Sequence, residues 1–349
     1  MKIKAIDLFC GAGGLTRGLI DAGVGVAAGF DTDQHCKHAY ESNNKGAKFH
    51  CRDVSGVSGD ELSRIWGKAK VRLLAGCAPC QPFSTAAHSK RNGEKSDPRY
   101  PLLEHFARLV RECKPELVTM ENVPSVRQHA PFLEFTETLE ELGYKVWYSS
   151  VLCADFSVPQ NRYRLVLMAS LLGTAPKLLR PKKPQKITVS SAIDGLPELA
   201  AGGRDSSDKI HFARNLTPLN LRRLRHSTPG GTWEDWPKEL RSACHNKETG
   251  ATFRSVYARM RADEPSPTMT TQFYNFGTGR FGHPNQDRTI TPREAALLQS
   301  FPKDYDFVGP NDKLALNRLG RMIGNAVPPK LGEAIGAAFL SHIASFKPV

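Results

Sequence analysis

Cys80, in Gly76-Cys77-Ala78-Pro79-Cys80-Gln81-Pro82-Phe83-Ser84, and Glu121, in Glu121-Asn122-Val123-Pro124, are the two residues of this 349-residue chain best placed to attack an inert ring together. Each follows or ends a β-branched apolar run (Val71 to Ala75 and Glu116 to Met120) that predicts a strand. Adjacent strands of a parallel sheet present their carboxyl ends on one side, so the two side chains can converge there. A thiolate from Cys80 and a proton from Glu121 would activate an aromatic ring that resists attack by either alone. Pro79 and Pro82 stiffen the cysteine's loop. Taken singly, Glu121 could equally be a helix cap or a solvated carboxylate. Cys77 and Cys80 form a CxxC whose spacing alone also fits a redox pair. There is no second Cys pair and no flanking histidine pattern, so no metal is expected.

A second set of residues points to a nucleoside-bearing cofactor. Asp7-Leu8-Phe9-Cys10-Gly11-Ala12-Gly13-Gly14 ends one predicted strand and runs straight into a helix. Gly11 and Gly13 would let a ligand approach the backbone there, although the run is not GxGxxG and could be only a tight turn. The next predicted strand ends in Gly29-Phe30-Asp31, which places an acid where ribose hydroxyls are bonded in such folds. A third ends at Asp53-Val54.

These residues need a scaffold of alternating strands and helices. Strands are expected at Lys2 to Phe9, Val24 to Phe30, Ala47 to Cys51, Val71 to Ala75 and Glu116 to Met120. Helices are expected at Gly14 to Ala22, Gln34 to Asn43, Asp60 to Lys68, Leu102 to Glu112 and Pro131 to Leu142. That order calls for an α/β fold with a mostly parallel, doubly wound sheet. Lys145 to Cys153 and Arg164 to Ala169, close together, are expected to finish it as an antiparallel edge. Helices return at Pro292 to Gln299 and Leu331 to Ile343. Between them, from Pro176 to about Asp287, the chain is rich in Pro, Gly and basic residues and weakly periodic. Trp233, Trp236, Phe253, Tyr257, Phe273, Tyr274 and Phe276 argue against a disordered linker there. The expected division is therefore 1–185 with 290–349 as a catalytic and cofactor-binding domain, and 186–289 as a smaller, loop-rich second domain.

Charge narrows the partner. Lys and Arg number 48 against 35 Asp and Glu, for a net charge of +13 and an isoelectric point near 9.4. Basic residues outnumber acidic ones 14 to 8 between Ser170 and Gly250. A surplus of this size suits a polyanion, because basic side chains on phosphates release condensed counterions. The N-terminal apolar stretch is short and carries Asp7, so neither a signal peptide nor a membrane span is expected. Eight cysteines without framework spacing point to a reducing, cytoplasmic setting.

Six stretches, in order, resemble the cytosine-5 DNA methyltransferase family. They are Asp7 to Gly14, Ala78 to Ser84, Glu121-Asn122-Val123, Gln160-Asn161-Arg162-Tyr163-Arg164, Thr291 to Pro302, and Gly324-Asn325-Ala326-Val327-Pro328-Pro329. The resemblance covers both ends of the chain and skips the irregular middle. It implies an S-adenosylmethionine-dependent methyltransferase fold and methyl transfer from S-adenosyl-L-methionine to carbon 5 of a cytosine flipped out of double-stranded DNA. It selects Cys80 over Cys77 as the nucleophile and makes Glu121 the acid, which must then carry a proton near neutral pH. Arg164 matches the arginine on the cytosine carbonyl, and Arg162, one alternation away on the same strand face, would pair with it; a structural salt bridge is the other reading of Arg162. The cofactor pocket would be lined by Phe9, Gly11, Gly13, Asp31, Asp53, Val54, Pro79, Leu102 and Asn325. Thr32 would join them, a departure from the larger residue that many members place against the adenine. Cys80 to Arg99 would be a cover that closes over DNA, with Asp97 and Arg99 at its far hinge. Target recognition would fall in Lys186 to Gln286, with Arg222-Arg223-Leu224-Arg225-His226 and Thr228 to Trp233 as candidate DNA contacts. A bacterial monomer acting on the chromosome is expected. A tRNA methyltransferase of the same fold and a non-catalytic DNA-binding regulator are the alternatives.

Overall fold

The computed structural model describes residues 2–79, 102–246, 254 and 256–346. They divide into two compact units, Met1–Phe156 with Tyr163–Pro184 and Val327–Val349, and Ser157–Arg162 with Gln185–Ala326. The second unit thus takes in 290–326, which the sequence division assigned to the catalytic domain.

The first unit alternates as its periodicity requires: β1 (Ile3–Leu8), α1 (Gly14–Asp21), β2 (Gly25–Asp31), α2 (Cys36–Asn43), β3 (Lys48–Cys51), α3 (Gly59–Trp66), β4 (Val71–Gly76), α4 (Leu102–Cys113), β5 (Leu117–Asn122), α5 (Ala130–Glu141) and β6 (Lys145–Leu152). A two-residue strand, β7 (Gln160–Asn161), belongs to the second unit, and β8 (Tyr163–Ser170) returns to the first. The strand order is β3-β2-β1-β4-β5-β8-β6. Pairing is parallel from β3 through β5, and β8 is antiparallel to both β5 and β6. The expected antiparallel edge is present: β8 and β6 close that side of the sheet, with β8 next to β5 and β6 outermost. The crossover through α5 leaves one strand's width free beside β5, and the short return from β6 fills it.

Side chains of β1 alternate between two covered faces. Ile6 and Leu8 join a core cluster with Leu62 and Trp66 of α3, Phe106 and Val110 of α4 and Phe135 of α5. Asp7 points the other way, toward Thr16 of α1. α4 buries Leu103, Phe106, Ala107 and Val110, the three-and-four spacing of one helical face. α1 and the closing helix Pro329–Ser345 cross closely because Gly18 has no side chain; a Cβ there would lie 2.2 Å from the Pro329 carbonyl oxygen.

The second unit carries α6 (Val189–Ile193), α7 (Pro218–Arg225), a short β9 (Ser266–Pro267) paired with β7, α8 (Pro292–Leu298) and α9 (Leu316–Gly324), joined by long irregular segments. Its aromatic residues form a core: Trp233, Trp236, Leu224, Leu240 and Phe276 are buried together, with Tyr257 packed on them. Phe253 lies outside the described residues. Thr291 and Glu294 close a reciprocal cap on α8. Glu294 also takes two hydrogen bonds from Arg288, at 2.7 and 2.8 Å, with both side chains only 1% exposed. Burial pushes the Glu294 carboxyl up, but the hydrogen bonds and charge of Arg288 outweigh it and hold the acid below its ordinary range. Arg288→Met leaves that buried carboxylate with only the Thr291 amide and His283, 3.6 Å away, and should cost about 3–5 kcal/mol of stability at neutral pH. Urea unfolding followed by the fluorescence of Trp233 and Trp236 measures it. The wild-type advantage should fade as pH falls through the depressed Glu294 pKa, because protonation removes the charge that Arg288 serves.

Candidate active site

Because β1 to β5 run parallel, their carboxyl ends gather the chemistry-bearing residues on one side of the first unit. β1 passes into α1 through a turn in which Phe9, Gly11 and Gly13 have φ of 58°, 50° and 89°. A Cβ on Gly11 would meet nothing within 4 Å, so the turn opens on free space. The Gly11 amide donates to Asp31 Oδ2 and the Asp33 amide to Oδ1, both at 2.9 Å. Burial raises the Asp31 carboxyl, and these amide bonds oppose the rise. Beneath the turn, Asp7 accepts a 2.7 Å hydrogen bond from Thr16, whose hydroxyl lies 3.1 Å from that of Tyr40. Burial pushes Asp7 up to about 7.

Asp53, exposed after β3, accepts from the Ser55 amide at 2.8 Å, and hydrogen bonding to Ser55 lowers its pKa. Val54 is buried in the core beside it. Thr32 is exposed, and its carbonyl accepts from the Cys51 thiol at 3.6 Å. Phe9, Pro79 and Leu102 are half-buried. An open glycine turn beside two acids at successive strand ends fits a nucleoside-bearing donor. Asn325 lies in the second unit, exposed at the end of α9.

Glu121, the next-to-last residue of β5, is almost wholly buried, with 3% of its side chain exposed. Its pairing with Val166 across β5 and β8 brings Arg164 to the end of β5. Arg164 Nε sits 2.9 Å from Glu121 Oε1 and is itself 12% exposed. The Cys77 thiol donates to the other oxygen, Oε2, at 2.9 Å. Asn122 Nδ2 donates to the Ala78 carbonyl at 3.0 Å, which fastens the chain after β4 against the end of β5. Cys80, two residues further on, and the remainder of the expected cover to Arg99 lie outside the described residues.

Arg162 departs from its expected place. β8 begins at Tyr163, so strand alternation does not carry back to Arg162. Its guanidinium, 2% exposed, donates to the carbonyls of Met269, Gly324 and Ala326. These bonds lie inside the second unit, and with Gln160 and Gln299 they hold the turn that carries Asn325. Arg223 likewise is buried rather than free for DNA: it donates to Leu240, Asn220 and Ser242 and lies over Trp236 and Tyr257. Arg222 and Arg225 are exposed. Sequence reasoning passed over Cys77 as a partner of Glu121, and also Asn122 and Thr16. Only Asn122, adjacent to Glu121, carried a visible signal.

The model of the C-5 cytosine-specific DNA methylases matches residues 3–341. The chain belongs to that family. It is 47% identical over 334 residues to the type II methylase M.HgiDII of Herpetosiphon aurantiacus, covering 95% of this chain and 93% of that protein. It is 34% identical to the type II methyltransferase M1.HphI of Haemophilus parahaemolyticus, covering 97% and 87%. The fold is shared with an E. coli prophage protein described as a candidate DNA modification methyltransferase, with a TM-score of 0.75 at 22% identity over 99% of this chain and all of the other. This methyltransferase thus takes DNA as its substrate and requires a methyl donor. Among the described residues no helix is long and apolar enough to cross a membrane. Nor, among them, is there a group of three or more His, Cys, Asp or Glu that could hold a metal.

Proposed function

We propose that this methyltransferase passes a methyl group from S-adenosyl-L-methionine to carbon 5 of a cytosine flipped out of duplex DNA, as a monomer on a bacterial chromosome. The observation that carries the reading is the Glu121 carboxyl, buried at the end of β5 between Arg164 and the segment leading to Cys80. Cys80 adds as a thiolate to ring carbon 6 while Glu121 gives its proton to ring nitrogen 3, leaving enamine-like electron density at carbon 5. The bound cofactor supplies a methyl group on a sulfonium, the electrophile that such a carbon can attack. After transfer, a base takes the carbon-5 proton, the bond from carbon 6 to Cys80 breaks, and nitrogen 3 returns its proton to Glu121. Arg164 orients Glu121 and contacts the cytosine carbonyl. Base access requires flipping, since carbon 6 is stacked within a duplex.

The turn of Gly11 and Gly13 gives the cofactor close access to backbone, and Asp31 accepts its ribose hydroxyls. Asp31→Ala should weaken cofactor binding by about tenfold or more, the loss of one or two hydrogen bonds to a charged acceptor. Calorimetry on the folded variant checks this, and unchanged affinity would remove Asp31 from the pocket. Target choice is assigned to Lys186 to Gln286, where Arg222, Arg225, Thr228 and Pro229 are exposed.

The deciding experiment is tritium transfer from labelled cofactor to duplex DNA and to tRNA, followed by bisulfite mapping. Label should enter duplex DNA at cytosines that resist bisulfite conversion. Label entering tRNA alone would favour the tRNA enzyme of the same fold, and label entering neither would favour a non-catalytic regulator.

A further inference from the structure

We infer that Cys77, not the nucleophile, is a positioning residue that sets the orientation of the Glu121 carboxyl. The inference rests on the proposed role of Glu121 as the acid. Among the described residues, the two oxygens of Glu121 meet Arg164 Nε, at 2.9 Å from Oε1, and the Cys77 thiol, at 2.9 Å from Oε2. Arg164 alone leaves rotation about the terminal carboxyl torsion, which is broad for glutamate. The second contact removes it. Cys77 is itself held, since its amide donates to the Leu8 carbonyl at 3.2 Å and extends the pairing of β4 with β1. Asn122, next to Glu121, fastens the following residue, Ala78. The thiol is therefore fixed to the same frame as the acid that it orients.

A thiol suits a carboxyl that must alternate between two protonation states. It is a weak donor to the carboxylate and a weak acceptor for the acid, so neither state is strongly favoured. A hydroxyl could serve the same two roles, whereas a methyl group serves neither.

The test compares Cys77→Ala and Cys77→Ser in the full chain, each alone and combined with Glu121→Gln. Cys77→Ala should lower kcat on the order of tenfold, with KM for DNA and cofactor affinity little changed, because an unfixed acid affects transfer and not binding. Cys77→Ser should recover most of the loss. In the Glu121→Gln background, Cys77→Ala should add nothing further, the non-additivity expected of a residue that acts through another. Thermal unfolding of each variant shows that the fold is kept. Independent, multiplicative losses, or a Cys77→Ala variant with wild-type kcat, would overturn the inference while leaving Glu121 as the acid. Full activity in Glu121→Gln alone would remove the role of Glu121 and the inference with it.

Discussion

Glu121→Gln is expected to lower kcat about 10²- to 10⁴-fold, the range for removal of a positioned general acid. Glutamine has nearly the shape of the acid, so it can stay in the slot between Cys77 and Arg164. Its amide can offer a hydrogen bond to ring nitrogen 3 but cannot deliver a proton, so electron density at carbon 5 does not build. The loss should therefore fall on kcat, and cofactor affinity should remain near the wild-type value, because the glycine turn and Asp31 are untouched. Single-turnover tritium transfer with saturating DNA and cofactor measures the step directly. A rate within threefold of wild type would show that Glu121 does not supply the proton.

Cys80→Ala is expected to abolish turnover outright, a larger effect. Carbon 5 of cytosine is a poor nucleophile until carbon 6 carries an added group, and an alanine offers none. Cys80→Ser should be nearly as inert, because a hydroxyl ionises far less readily than a thiol and is the weaker nucleophile near neutral pH. Duplex DNA binding in gel-shift assays should survive in both variants, separating loss of chemistry from loss of fold.

The parallel half of the sheet was legible because β1 to β5 are short, apolar and separated by helices whose buried faces recur every three or four residues. The motifs at their ends could then be placed at one sheet edge. Which of β6 and β8 lies beside β5 was not legible. β6 and β8 are both apolar enough to pair, and only the space left beside β5 decides which lies inside. Helix α9 escaped notice because Gly320 and Gly324 interrupt its pattern. The fold explains them: a Cβ on Gly320 would lie 2.1 Å from the Thr271 carbonyl oxygen and one on Gly324 within 2.6 Å of Thr270. These glycines serve close packing rather than a turn. Arg162 and Arg223 show the limit of reading charge from sequence. Arg162 was expected beside Arg164 or in a salt bridge and Arg223 on DNA, yet each is buried on carbonyl acceptors distant in the chain, a long-range outcome that no local pattern encodes.

The covalent bond from Cys80 to carbon 6 is the central claim, and DNA carrying 5-fluorocytosine at the target tests it most directly. Methyl transfer can proceed on that base, but fluorine cannot leave carbon 5 as a proton does, so expulsion of the cysteine is blocked. The account predicts a denaturation-resistant protein–DNA adduct that forms only when cofactor is present. Mass spectrometry should place it on Cys80, with the adduct absent in Cys80→Ala and retained in Cys77→Ala. An adduct on Cys77, or methyl transfer at the wild-type rate by Cys80→Ala, would contradict the mechanism.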